Sequence, residues 1–197
     1  MIFKQKQKRF KFNIMRETYE LNIVMPELPE DEVFKLISSG NFSSIAFIKM
    51  IAEKTIIRDL SATTLRIGKK HLSILDGLFH EKRLMNARFV ISSLVKNDSN
   101  RMKKYGYYEN IEEICNNNNW EIAVMNNHSK ILLFNTDIGK YVLETSSNLN
   151  ENPKIEQFSF EKNDELYRFY NDLFDDWFLR QTKGIDDVWL RENINIG

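Results

Sequence analysis

Apolar and polar positions along this chain recur in two periods, and the points where the period changes mark out its elements. Val33-Phe34-Lys35-Leu36-Ile37 is short, apolar and branched, and reads as the first core strand. Ser38-Ser39-Gly40-Asn41 after it has turn chemistry, and Ser39-Gly40-Asn41 could line a site. Between residues 44 and 54, Ile45, Phe47, Ile48 and Ile51 predict a helix. Residues 55–60 and 63–67 are β-rich and close at Gly68, and residues 69–82 carry Leu72, Leu75, Leu78 and Phe79 on one helical stripe. Ala87-Arg88-Phe89-Val90-Ile91 is a further strand, residues 96–101 a polar connection, residues 105–117 a helix and residues 120–125 another strand. Two closely spaced strands follow, at residues 129–134 and around Tyr141-Val142-Leu143, and a last one at 155–161. Asn163 or Asp164 can cap a helix over 165–180, whose Leu166, Phe169, Tyr170, Leu173 and Phe174 form its core stripe.

Strands alternating with helices, then pairing closely, predict an α/β fold: a mixed sheet flanked by helices on both faces. The expected division is a basic arm and lead-in segment over 1–30, one domain over 31–180 and a tail over 181–197. Within the lead-in, residues 19–25 read as a strand. Lys4, Lys6, Lys8, Arg9 and Lys11 lie among Phe3, Phe10 and Phe12, with Lys6, Lys8, Phe10 and Phe12 at alternating positions with Gln5 and Gln7, which suits either a basic edge strand or an arm. In the tail, Ile185, Val188, Trp189 and Leu190 could cover a partner subunit or the sheet itself.

Composition narrows the class more than the function. The 197 residues suffice for one domain with a sizeable core. Lys plus Arg equals Asp plus Glu at 28 each, so any nucleic-acid surface has to come from local clustering. The single cysteine, Cys115, reads as a buried helix position and permits no internal disulfide. No stretch is long and apolar enough to span a bilayer, and the N-terminus lacks a signal-peptide segment, so the expected location is the cytoplasm. His71 and His80 read as surface residues, and no zinc spacing is present.

Chemistry concentrates in Asn127-His128-Ser129-Lys130, Glu144-Thr145-Ser146-Ser147-Asn148 and Ile155-Glu156-Gln157. Strand parity puts His128 and Lys130 on one face, and Ser146 beside Asn148. If the two strands are neighbours, an imidazole, an ammonium, a hydroxyl and an amide converge, balanced only by Glu156. Such a set suits a phosphate: lysine supplies charge, hydroxyl and amide donate to its oxygens, and imidazole can attack phosphorus or move a proton.

The order His128-x-Lys130, Ser146-x-Asn148, Glu156 resembles the single-motif branch of the phospholipase D superfamily. With Asn152-Pro153-Lys154-Ile155-Glu156-Gln157 and the helix after it, the chain is similar to the small phospholipase D-like proteins of phages and mobile elements. The likeness spans roughly residues 35 to 178, with its specific part in the second half. Two positions depart from the pattern: the acid expected five residues after the lysine is Asn135, with Asp137 two residues late, and the glycine of Gly-Ser-x-Asn is Thr145.

The resemblance implies a phosphodiesterase working through a covalent phosphohistidine, with neither metal nor other cofactor. His128 is the implied nucleophile, Lys130 and Asn148 steady the phosphate oxygens, and Glu156 holds the imidazole. Ser146, Ser147 and Lys154 are the implied substrate-binding residues. One motif per chain implies a homodimer in which two His128 rings face one phosphate. The expected substrate is nucleic acid, with no membrane partner. The alternative is a non-catalytic phospholipase D-like nucleic-acid-binding or assembly protein, motivated by Asn135 and Thr145.

Overall fold

The computed structural model describes residues 9–15, 20–38, 42–93, 107–150 and 153–182. Its strands are β1 (Arg9–Met15), β2 (Glu32–Ser38), β3 (Ile57–Thr64), β4 (Leu84–Ser92), β5 (Glu121–Met125), β6 (Ile131–Thr136), β7 (Gly139–Thr145) and β8 (Glu156–Lys162). Its helices are α1 (Glu20–Val24), α2 (Ile45–Lys54), α3 (Lys69–His80), α4 (Tyr107–Asn117) and α5 (Asp164–Thr182). The eight strands form one mixed sheet in the order β1-β2-β8-β7-β6-β3-β4-β5. β1 with β2, and β3 with β4 and β5, pair in parallel; the central joins are antiparallel. The α/β reading, a mixed sheet with helices on both faces, holds.

Burial explains the two layers. Leu132, Leu133 and Phe134 of β6, and Tyr141, Val142 and Leu143 of β7, are buried in unbroken runs, as strands covered on both faces require. On one face α2 is buried almost all round, with Lys49, Glu53 and Lys54 exposed. There Phe47 packs between Phe42, Phe158 and Phe160. On the other face α5 lays Leu166, Tyr167 and Phe174 over Val90, Ala123, Leu133 and Val142. Asn163 caps α5: its Oδ1 accepts the Leu166 N–H at 3.1 Å, and Asp164 and Glu165 suit the positive end of the helix dipole. At the open edge of β5, Gln181 accepts from Val124 N and donates to Ile122 O, so a side chain occupies ladder groups that a further strand would use.

Several expectations need correction. Residues 20–24 are helix α1, not strand, because Leu21 and Met25 are buried one turn apart while Ile23 between them is exposed. The two β-rich runs at 55–67 are one strand, β3, with a register shift between Ile57 and Asp59. His71 is buried rather than at the surface, and its Nε2 lies 2.9 Å from Ser43 Oγ. Cys115 is buried as expected. Residues 39–41, 96–101 and the tail at Ile185, Val188, Trp189 and Leu190 lie outside the described residues, as does the arm before Arg9. Among the described residues no helix is long and apolar enough to cross a membrane.

Topology gathers the candidate residues at one end of the sheet. β2, β3, β4 and β5 finish there, β7 finishes there beside them, and β6 and β8 begin there. The connections 126–130 and 146–155 therefore leave and enter the same strand ends.

Candidate active site

Strand parity is not what brings His128 and Lys130 together. β6 begins only at Ile131, and residues 126–130 form a loop that Asn127 shapes from inside. The buried Asn127 side chain accepts from Ser129 N at 3.0 Å and Ser129 Oγ at 2.6 Å, an Asx turn, while its Nδ2 reaches Thr64 O and Val90 O. Thr63 Oγ1 meets Ser129 Oγ at 3.0 Å and accepts the Ile131 N–H at 2.9 Å. Pinned on both sides, the loop turns His128 out to solvent. Lys130 folds back onto it: Nζ donates to His128 O at 2.7 Å and lies 3.2 Å from Nδ1. With lysine as donor, Nδ1 is the acceptor and Nε2 is the ring nitrogen turned away from it.

The second loop is fixed as firmly. Thr145 N donates to Lys130 O at 3.1 Å, which sets the two motif segments side by side. Ser146 Oγ donates to Glu156 Oε2 and accepts the Gln157 N–H at 3.0 Å. Glu156 is buried, and its own N–H donates to Ser38 Oγ at 3.2 Å. Asn148 Oδ1 accepts from Leu65 N at 3.0 Å and from Thr64 Oγ1 at 3.4 Å. Its oxygen is thereby spent on the β3 end, and the amide NH2 has no acceptor among the described residues. Ser147 is buried; its hydroxyl donates to Asn148 O and its carbonyl accepts from Ser44 Oγ, so it braces the loop instead of facing a ligand. Lys154 is exposed on the approach to β8.

Electrostatics ties the two loops. Burial pushes the Lys130 ammonium below the ordinary lysine range, and the negative charge of Glu156 opposes that shift. A cation and a carboxylate that feel each other beside an exposed imidazole make a site able to take a phosphate, whose oxygens would replace water around Lys130 and the Asn148 amide.

The two departures from the family pattern fall on structural positions. Asn135 sits four residues along β6 from Ile131, about 14 Å from the site end, and donates to Asp59 at 2.7 Å. Asp137 lies beyond it, paired with Arg58. Thr145 has ordinary strand backbone: among the described residues only Lys82 and Asn119 are non-glycine positions with positive φ. Its hydroxyl donates to Gln157 O and accepts the Ser147 N–H, stitching the turn where a glycine was expected. Sequence reasoning missed Thr63 and Thr64, and named Asn127 and Ser38 without their bracing bonds. The paired threonines at a strand end were a usable signal, since hydroxyls there can bond neighbouring loops.

No protein-family model matches the chain, and no curated protein does. Solved structures do. Polyphosphate kinase from Porphyromonas gingivalis superposes with a TM-score of 0.55 at 11% identity, over 74% of this chain. Phosphatidylserine synthase from Haemophilus influenzae gives 0.50 at 14% identity, over 76%. Both are phospholipase D superfamily members. The fold is phospholipase D-like. TrmBL2, an archaeal chromatin protein, is also similar, at a TM-score of 0.47 and 13% identity over 82% of this chain and 57% of its own. The chain spans 26% of the kinase and 38% of the synthase, so the likeness is to one phospholipase D-like unit of larger proteins.

Proposed function

We propose that this protein is a metal-independent phosphodiesterase that cleaves nucleic acid through a covalent phosphohistidine on His128, in a site completed by a second copy of the chain. The observation that carries the reading is the exposed His128 ring with Lys130 Nζ at 3.2 Å, beside an Asn148 amide oriented by its bond to Leu65. Lys130 and the Asn148 NH2 hold the non-bridging oxygens of the phosphate. As Lys130 turns to the phosphate, the imidazole carries its proton on Nδ1, with Glu156 as the carboxylate that steadies it. Nε2 then attacks phosphorus, the P–N bond forms and the P–O bond to the leaving strand breaks. The leaving oxygen takes a proton from an acid on the opposite side, and water later displaces the histidine.

That acid is the reason for a second copy. The chain has three histidines. His71 is buried against Ser43, and His80 stands at the far end of α3, so neither serves opposite His128. A twofold-related His128 does, and general acid catalysis of this kind contributes about 10²–10⁴-fold. The rival reading, a binding or assembly protein without turnover, was motivated by Asn135 and Thr145. Asn135 is bonded to Asp59 along β6, and Thr145, whose N–H meets Lys130 O, spends its hydroxyl on Gln157 O and the Ser147 N–H, so the reading with turnover is preferred.

The test is incubation with labelled single- and double-stranded DNA and RNA in EDTA, comparing wild type with His128→Ala. Cleavage by wild type alone supports the proposal. Activity that vanishes in EDTA and returns with magnesium contradicts the mechanism, and binding without turnover selects the rival.

A further inference from the structure

The described part of the basic N-terminal segment enters at the end of the sheet away from the site. β1 runs parallel to β2, with Arg9 beside Glu32 and Met15 beside Ser38, so Arg9 lies six residues, about 20 Å, from the strand ends that hold the motif loops. Among the described residues, cationic charge at the His128 end comes from other segments. Residues 62–70, 123–132, 144–150 and 153–158, at the site end, carry five Lys or Arg (Arg66, Lys69, Lys70, Lys130, Lys154) against two carboxylates, Glu144 and Glu156. Both carboxylates accept hydroxyl bonds, from Tyr170 and Ser146. At the opposite end, residues 9–11, 26–32, 55–59, 81–86, 118–121, 137–140 and 161–165 carry eleven acids against seven bases. Among the described residues, charge is thus divided along the strands, and the net positive end is the one with the imidazole.

Three of those cations form a ridge joined to the site. Arg66, Lys69 and Lys70 are exposed, and they follow β3 into the first turn of α3. The helix dipole favours acids in that turn, and α3 has none. The ridge is stitched to the Asn148 loop by Leu65 N to Asn148 Oδ1, by Gly68 N to Leu149 O at 2.7 Å, and by the bridge between Ile67 and Leu149. Cation ridge and phosphate pocket therefore belong to one rigid unit.

We propose that Arg66, Lys69 and Lys70 grip the phosphates of a nucleic-acid strand next to the one held at His128, so that the site takes a polyphosphate backbone rather than an isolated phosphodiester. This rests on the phosphodiesterase reading above and gives it a footprint. Single-stranded nucleic acid carries closely spaced charges, and each phosphate neutralised adds about 0.7 to the negative slope of log K against log salt.

The test measures binding of a fluorescein-labelled single-stranded oligonucleotide to the full chain over a salt series, alongside turnover of bis(p-nitrophenyl) phosphate, which offers a single phosphate. The variant Arg66→Gln/Lys69→Gln/Lys70→Gln should lose about 2 units of salt slope and bind roughly tenfold or more weakly at low salt, with small-diester turnover retained. Lys49→Gln/Arg168→Gln, exposed and away from the ridge, should change neither. An unchanged slope in the triple variant overturns the ridge, and wild-type cleavage of the oligonucleotide in the same assay would leave the phosphodiesterase reading standing. Small-diester turnover by wild type without oligonucleotide binding overturns the ridge and the nucleic-acid substrate together, as does full-strength binding of inorganic polyphosphate alone. If the triple variant misfolds and loses small-diester turnover, Lys69→Gln/Lys70→Gln decides: a slope loss of about 1.4 supports the ridge and no loss overturns it.

Discussion

Leu65 donates its backbone N–H to Asn148 Oδ1 at 3.0 Å, and that bond occupies the acceptor half of the Asn148 amide. The oxygen is taken; the NH2 is the half left to donate. Asn148→Asp keeps the acceptor for Leu65 and loses the donor, so turnover should fall by about 10²–10³-fold with stability within about 0.5 kcal/mol of wild type. Asn148→Ala also leaves the Leu65 N–H without its acceptor and should cost about 1–3 kcal/mol. Urea unfolding of both variants checks this, and equal stabilities would contradict it.

Glu156 and burial act on Lys130 in opposite directions. Burial lowers the lysine pKa, and the Glu156 charge raises it. In Glu156→Gln the opposing charge is gone and Lys130 loses its proton at lower pH. If charged Lys130 holds the phosphate, the alkaline limb of kcat/KM should move to lower pH in this variant. A pH–rate profile in which that limb stays put or rises would show that Lys130 is not the phosphate cation.

Burial pushes the Cys115 thiol and the Tyr141 and Tyr167 hydroxyls each up to about 12, from ordinary values of 9.0 and 10.0. A folded-state value above the unfolded one means the contribution to stability is complete below the unfolded value and is lost as pH rises through the folded one. Tm should therefore hold steady to about pH 9 and fall between pH 9 and 12 from these groups. Cys115 should also resist a thiol reagent at pH 8 until the protein is denatured. Rapid labelling of the native chain would contradict its burial.

Arg88 fastens α5 to the sheet. It donates to Ser61 Oγ at 2.7 Å, Asn171 Oδ1 at 2.9 Å and Asp175 Oδ1 at 2.5 Å, and lies over the Phe174 ring at 5.3 Å. Arg88→Ala removes these bonds and the packing of its stem, at an expected cost of about 2–3 kcal/mol. Proteolysis within 164–182 should quicken while small-diester turnover of the folded protein persists. A loss below about 0.5 kcal/mol would show that packing alone holds the helix.

Elements with a long apolar pattern were legible: the runs of β6 and β7 and helix α5 with Leu166 and Phe174 buried are where the sequence reading put them, while Tyr167, buried on α5, was left out of its stripe and Phe169 and Tyr170 are only half-buried. Helix α1 was not, since five residues carry too little pattern to separate one helical turn from a strand. His71 looked like a surface residue because sequence spacing alone does not show that Ser43 waits inside to bond it. The motif residues were readable from their order, but the reason they meet was not. Parity assigned it to a strand, whereas Asn127 and Thr63 build it from a loop through contacts 63 to 68 positions apart in the chain. The cationic ridge was invisible for the same reason, because a net charge of zero says nothing of how topology sorts the charges.

The phosphohistidine is the claim on which the account stands, and trapping it is the direct measurement. An oligonucleotide carrying radiophosphorus at an internal phosphate is mixed with the protein in EDTA and quenched in alkali, and the labelled peptide is mapped. The account predicts alkali-stable, acid-labile label on the peptide containing His128, absent from His128→Ala. Label that persists in His128→Ala, or wild-type cleavage with water oxygen entering the product and no label on the protein at any time, would contradict it.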